Sequence, residues 1–470
     1  MAPEPDVVTE KVHCYEKNFP VLFSTALILG GCDYKIDYSM YYHDMDETYT
    51  AIPANDFLAS IGVNSSINSR GEYIEKTLDC MTYLGARWIR SGYGGTVDDQ
   101  RYLWEKAGIR FSMVLGIRDG VLAPEWTLEG ARQVAQMGAL IALEGVNEPN
   151  NWTVKYRDPD SGKIVESGGS LSWKALAQAH ADFYRLAKED DVLKDYPVWS
   201  ISEPGAEHDN VGMQFLTIPE GANTVMPEGT TYADCANCHN YIVHPGWPGV
   251  HNNQTWLTSD PTSNSPLDGL YDNFGLTWGR NYEGYDENTL KTLRRVTTET
   301  GTTINESVSE QMQGLLYLNL YLCQFKRGWE YTSMYILRDR VDEGGNQTFG
   351  FFRPDYKPRI AAHYLHNLTT ILADDESIGN PSTLSYSIRN KPNTVHHLLL
   401  QKKDGTFCLV VWGEKYEGGS DRIVLSLDKY YDRIRVYDPT VGTDPIENLY
   451  SVRDVNLTMT NHPLILEFKR

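Results

Sequence analysis

Between residues 57 and 372 the sequence alternates between short apolar runs and stretches whose apolar residues recur at helical spacing. No other feature constrains the fold as much. Strands separated by helices pair in parallel, and each parallel pair needs a crossover between its members. The spacing predicts strands over Phe57–Asn64, Ala86–Arg90, Ile109–Leu115, Ala139–Val146, Val198–Ser202, Cys235–Val243, Arg295–Glu299 and Tyr331–Leu337. It predicts helices over Arg70–Leu84, Gln100–Ala107, Leu128–Gly138, Ser172–Lys188, Glu306–Lys326 and Arg359–Leu372. Eight such units fit a closed (β/α)8 TIM barrel with long loops better than an open sheet.

The rhythm changes after about residue 380. Val395–Lys402 and Thr406–Trp412 flank Asp404-Gly405 and read as a hairpin with a type I′ turn. Ile423–Leu427, Ile434–Tyr437 and Leu464–Phe468 are further short strands without helical pattern between them. The expected organisation is therefore an N-terminal segment over 1–55, a catalytic barrel over 56–378 and an antiparallel β-sandwich over 379–470.

A barrel of this kind carries its chemistry at the C-terminal ends of its strands. There the sequence places Arg90 after strand two, Asn147-Glu148-Pro149 after strand four, and His239 and Tyr241 after strand six. Glu299 follows on strand seven and Tyr335 on strand eight. Glu148 and Glu299 stand out, because glycoside hydrolysis needs two carboxyl groups flanking the scissile bond. Glu144 lies inside an apolar run and reads as a structural ion-pair partner. Glu203, in Ser202-Glu203-Pro204, lacks the preceding Asn and reads as a substrate-binding or loop residue.

The stretch Glu144-Gly-Val-Asn-Glu-Pro-Asn-Asn151 resembles the strand-four motif of clan A retaining glycoside hydrolases, and Thr297-Thr-Glu-Thr-Gly301 their strand-seven motif. Tyr335-Ile-Leu-Arg-Asp339, Gly350-Phe-Phe and Lys357-Pro-Arg-Ile-Ala-Ala resemble the close of those barrels. Over residues 57 to 372 the chain is most similar to glycoside hydrolase family 39, with family 5 next. The resemblance implies a retaining hydrolase of β-glycosides. Glu148 is its expected acid/base, Glu299 its nucleophile and Asn147 a partner of the sugar 2-hydroxyl. Arg90, His239, Tyr241, Trp247 and Tyr335 are expected to contact substrate or the carboxylates. No cofactor and no metal is implied. A non-catalytic carbohydrate-binding protein on the same barrel is the alternative, and both carboxylates being present argues against it.

Cys235-Ala-Asn-Cys238-His239 matches the C-x-x-C-H pattern of covalent haem attachment. Its place on a buried barrel strand leaves no room for a porphyrin. Neighbouring strand positions face opposite sides, which also disfavours a zinc site built from the three. His239-Asn-Tyr241 reads instead as part of the sugar site, and the cysteines as small buried residues, with a disulfide between them left open. The following segment carries Trp247, Trp256, Tyr271, Phe274, Trp278, Tyr282 and Tyr285, read as walls of a substrate cleft.

A formal net charge of -21 opposes nucleic acid as a partner. A carbohydrate substrate is the expected partner. The apolar run Phe19–Cys32 ends in Leu-Gly-Gly-Cys and resembles a bacterial lipoprotein signal, in which Cys32 would be acylated and anchor the chain to a membrane outside the cytoplasm. The acidic residues before it oppose that reading. A buried N-terminal strand in a cytoplasmic protein is the alternative.

Overall fold

The computed structural model describes residues 47–91, 94–158, 161–204, 211–243, 249–262, 264–265 and 277–469. Cys32, Trp247, Tyr271 and Phe274 lie outside them.

Eight parallel strands form the expected barrel: β1 (Ile61–Asn64), β2 (Trp88–Arg90), β3 (Arg110–Val114), β4 (Leu140–Glu144), β5 (Val198–Trp199), β6 (Ala236–Cys238), β7 (Arg295–Thr300) and β8 (Trp329–Met334). They pair in chain order from β1 to β5, and β1 also pairs with β8, which leads through β7 to β6. The ring closes where Trp199 of β5 bridges Cys235 just before β6. Asp234 N–H donates to Val198 O at 2.8 Å there, and Ser200 N–H to Cys235 O at 2.9 Å.

The interior is filled in layers. At one level Trp88, Trp199 and Tyr331 pack against one another, with ring centroids 5.6–5.8 Å apart. Trp88 fits only because residue 62 is glycine; a Cβ there would stand 2.1 Å from Trp88 Cε2. Trp88 Nε1 donates to Ser60 O at 3.1 Å, so the one polar atom of this ring is satisfied.

The strand boundaries depart from the sequence reading at the first and sixth strands. Phe57–Ser60 is not strand but the end of a helix, Ala54–Ser60, whose Phe57 and Leu58 are buried; a short apolar run does not by itself distinguish the two. The sixth strand stops at Cys238, so His239 and Tyr241 sit on the segment leaving the barrel. Among the described residues no helix separates β5 from β6, and only short helices (Gln254–Thr258, Thr277–Asn281, Glu287–Thr292) separate β6 from β7. The polar insert after β4 is a hairpin of Val154–Arg157 and Ile164–Ser167.

The C-terminal region is the expected antiparallel β-sandwich. Its strands are β9 (Thr383–Arg389), β10 (Val395–Gln401), β11 (Phe407–Gly413), β12 (Asp421–Tyr437), β13 (Glu447–Met459) and β14 (Pro463–Phe468). Thr48–Thr50 and Ile52–Pro53 join the same sheet beside β9 and β10. Ile423–Leu427 and Ile434–Tyr437 are two ends of the single strand β12, whose register with β13 shifts between Ser426 and Tyr431. β13 has no counterpart in the sequence reading. It pairs only with β12, and most of its residues are at least partly exposed, so it carries little apolar signal. The β10–β11 turn is not type I′. Gly405 N–H bonds Lys402 O, and the positive φ falls on Gly405 (84°) and not on Asp404, as in a type I turn with a glycine bulge.

The helix Glu310–Lys326 is buried on all sides from Gln313 to Gln324, where most residues are apolar. It lies between barrel and sandwich. Tyr321 OH donates to Gly62 O of β1 at 2.7 Å, while Asn319 Nδ2 donates to Gly413 O, Asn461 O and Tyr416 OH of the sandwich side. No helix among the described residues is long and apolar enough to cross a membrane.

Candidate active site

Above the aromatic layer the barrel interior turns polar. Arg90, at the end of β2, is fully buried. Its Nε bonds both Glu144 oxygens at 2.9 and 3.0 Å, and Nη2 bonds Glu144 Oε1 at 2.5 Å and Asn147 Oδ1 at 2.8 Å. Nη1 bonds Glu299 Oε1. Burial opposes the charge on Arg90, but Glu144 and Glu299 outweigh it and hold its pKa above the ordinary value. The guanidinium thus organises three residues from β4 and β7, as its fixed fork of donors permits.

Glu299 ends β7, and Tyr241 OH donates to its Oε2 at 2.8 Å. Burial pushes the Glu299 carboxyl up to about 7, against the pull of Arg90. Glu148 follows β4 with φ of 40°, unusual for a residue with a side chain. Its N–H donates to Ser202 O at 2.9 Å, and its carbonyl accepts from the N–H groups of Asn151 and Trp152. The backbone is therefore held from both sides. Asn151 Nδ2 donates to Glu148 Oε2 at 3.2 Å.

His239 joins the two carboxylates. Its Nδ1 lies 2.7 Å from Glu148 Oε1 and 3.7 Å from Glu299 Oε2. Its Nε2 lies 3.1 Å from Thr298 Oγ1. The hydroxyl of Thr298 donates to Glu144 Oε1 at 2.9 Å or Asn237 Oδ1 at 3.1 Å, both acceptors. Its single proton is spent there, so its oxygen accepts from His239, and Nε2 carries the imidazole hydrogen. Nδ1 then has only a lone pair toward Glu148, and a 2.7 Å contact needs one more proton between them. Burial pushes His239 down. Burial acts upward on Glu148, but the hydrogen bond and charge of His239, with Asn151 and Arg90, hold that carboxyl below its ordinary value. The contact distance decides the sum, and the pair holds one shared proton.

One oxygen of Glu148, one of Glu299 and a ring nitrogen of His239 all lie within 4.8 Å of one another. Arg90, Asn147, His239, Tyr241, Glu148 and Glu299 therefore meet in one hydrogen-bonded cluster at the C-terminal end of the barrel. Tyr335 adjoins it, its ring packed edge-on against Tyr241 and Phe349. Burial and the Glu299 charge hold the Tyr335 phenol above its ordinary pKa. Glu203 is buried, and its carbonyl accepts from His239 N–H at 3.0 Å.

The sequence reading missed Thr298, Asn237 and Phe349. Strand alternation puts Thr298 and Glu299 on opposite faces, yet both reach the cluster. The β7–β8 register shifts between Thr297 and Thr300, which lets adjacent side chains turn inward. Four aromatic residues expected to wall the cleft pack elsewhere. Trp278 and Tyr282 are buried with Cys238 and Trp329, Tyr285 OH bonds Leu216 N–H, and Trp256 stacks on His396 of the sandwich. Cys235 and Cys238 are unbridged and buried in separate clusters, Cys235 with Trp88 and Trp199 and Cys238 with Trp278 and Trp329. Burial raises both thiols above their ordinary pKa, so neither is a ready thiolate.

No family model and no curated protein matches the sequence. Solved structures do. A family 39 glycoside hydrolase from the gut symbiont Bacteroides cellulosilyticus WH2 aligns at 17% identity and TM-score 0.53, over 89% of this chain and 82% of its own. A GH39 β-xylosidase from Caulobacter crescentus aligns at 14% identity and TM-score 0.50, over 90% and 98%. CelM2, a bifunctional glucanase-xylanase from a metagenome library, aligns at 10% identity and TM-score 0.53, over 89% and 98%. The likeness is one of fold, and it is the fold that the motifs around Glu148 and Glu299 led us to expect.

Proposed function

We propose that this protein is a retaining glycoside hydrolase that cleaves β-linked glycosides by double displacement. One observation carries the reading. One carboxylate oxygen of Glu148 and one of Glu299 stand within 4.8 Å at the barrel mouth, a proximity that favours the roughly 5–5.5 Å carboxyl separation of retaining enzymes over the 6.5–9.5 Å of inverting ones. In this reading Glu299 attacks the anomeric carbon, and the glycosidic bond breaks as Glu148 gives its proton to the leaving oxygen. Water then attacks the glycosyl ester and yields a proton to Glu148, which restores both groups. Arg90 and Tyr241 orient the attacking carboxylate. His239 shares the proton of Glu148 and keeps it at the atom that must deliver it. The expected substrate is a carbohydrate, consistent with the xylosidase and glucanase-xylanase named among the neighbours in fold.

The test is turnover of a panel of aryl β-glycosides by wild type, Glu148→Ala and Glu299→Ala. The reading expects an inactive Glu299→Ala that azide rescues, giving a glycosyl azide of inverted configuration. Wild-type turnover by Glu299→Ala overturns the assignment. A wild type that binds oligosaccharides yet cleaves nothing on aryl or polymeric panels points to a non-catalytic carbohydrate-binding protein.

A further inference from the structure

We propose that Glu148, His239 and Glu299 also form a binding site for one divalent transition-metal ion of the Zn2+ type. Binding itself does not depend on the glycosidase reading; the inhibition that follows from it does.

Three independent features support the site. The first is the donor set. The hydrogen-bond directions leave the Nδ1 lone pair of His239 facing two carboxylates, and an imidazole with two carboxylates suits Zn2+ or Co2+ better than Mg2+ or Ca2+. Ligand atoms around tetrahedral zinc, with bonds of about 2.0–2.1 Å, stand roughly 3.3 Å apart. His239 Nδ1 lies 2.7 Å from Glu148 and 3.7 Å from Glu299, which brackets that spacing. The Glu148 and Glu299 oxygens lie within 4.8 Å of each other, so the ion draws the two carboxylates together.

The second feature is the surroundings of the ligands. A metal-bound histidine characteristically donates its other N–H to a fixed acceptor. Here Nε2–H is already committed to Thr298, which is tied in turn to Glu144. Asn151 holds the outer oxygen of Glu148, and Tyr241 bonds Glu299.

The third feature is charge. Glu144, Glu148 and Glu299 surround the single guanidinium of Arg90, and Arg340 nearby is engaged by Asp342 and Glu343. With every carboxylate ionised and His239 neutral, the cluster carries two excess negative charges. A dication cancels that excess. It also occupies both carboxylates that a sugar must meet, so the ion excludes substrate.

The experiment is isothermal titration of the full chain with Zn2+, and with Co2+ as a spectroscopic probe, at pH 7.5. We expect one ion per chain and a visible tetrahedral Co2+ spectrum. Affinity should fall at least tenfold in each of Glu148→Gln, Glu299→Gln and His239→Asn, with circular dichroism confirming that each variant is folded. Zn2+ should also inhibit wild-type turnover. Absence of one-to-one uptake by wild type overturns the proposal. So does equal affinity in the three variants, which would mean a surface ion only. If a variant does not fold, the folded variants and their Co2+ spectra decide, and a tetrahedral Co2+ spectrum unchanged in them sinks the site. The titration needs no substrate, so its failure leaves the glycosidase reading standing, and failure of that reading leaves the titration interpretable.

Discussion

Replacing Arg90 by Met keeps the bulk of the side chain and removes its charge. Arg90 is fully buried and holds Glu144, Glu299 and Asn147. Its loss strands carboxylates in the barrel, and they avoid burying bare charge by taking up protons. Neutralising an ordinary glutamate, with pKa about 4.3, at pH 7 costs about 1.36 kcal/mol per unit, or about 3.7 kcal/mol. Glu299 already sits near 7 and adds little, so the other stranded carboxylate sets the scale. The total falls within the roughly 3–5 kcal/mol seen when one partner of a buried ion pair is removed. The sign with pH follows directly: the penalty exists only where the carboxylate would otherwise be ionised. It should shrink by about 1.4 kcal/mol per unit as the pH falls from 7, reaching about 1 kcal/mol at pH 5. Urea unfolding of wild type and Arg90→Met at both pH values measures it. The double variant Arg90→Met/Glu144→Met should recover much of the loss, because no bare carboxylate then faces the vacated site. A penalty under 1 kcal/mol at pH 7, or one equal at both pH values, would refute the account of Arg90 as the counter-charge of this cluster.

Three further outcomes are expected. In the proposed mechanism Glu299 attacks as a carboxylate, and burial raises it to about 7, so kcat/KM should fall as the pH drops through about 7; a flat profile between pH 5 and 8 contradicts this. Thr298→Val removes the acceptor of His239 Nε2–H, and kcat should drop roughly tenfold to a hundredfold while KM changes little, alongside a stability loss of about 1–3 kcal/mol from the buried hydrogen bonds. Loss of stability with unchanged kcat would make Thr298 structural only. Gly62→Ala puts a Cβ 2.1 Å from Trp88, and should cost at least the roughly 1–3 kcal/mol typical of overpacking; a variant as stable as wild type in thermal melts would mean that the aromatic layer yields freely.

Several parts of this protein were legible in the chain alone. Parallel strands buried on both faces must be apolar throughout, and the helices between them must carry one apolar stripe. That physics writes itself into local sequence, so β2, β3, β4, β7 and β8 stand close to where periodicity puts them. Glu148 and Glu299 were legible because strand-end position in a barrel is a strong constraint on where chemistry sits. The β5–β6 closure was not, since it rests on the Trp199–Cys235 bridge between strands of two and three residues. Nor was β13, which pairs only with β12 and is exposed over most of its first eight residues, alternation being clear only over Val455–Met459.

What the sequence by itself determined is the class of fold and the placement of two carboxylates at strand ends, because both follow from residue type and spacing along one chain. What only the tertiary structure decided is how those carboxylates are governed. Arg90 reaches across from β2, Thr298 turns inward at a register shift, and His239 stands just past the end of β6. Direction of donation, burial and the sharing of a proton depend on atoms brought together from strands far apart in sequence. No local pattern encodes them, since each is a property of the contact and not of either residue.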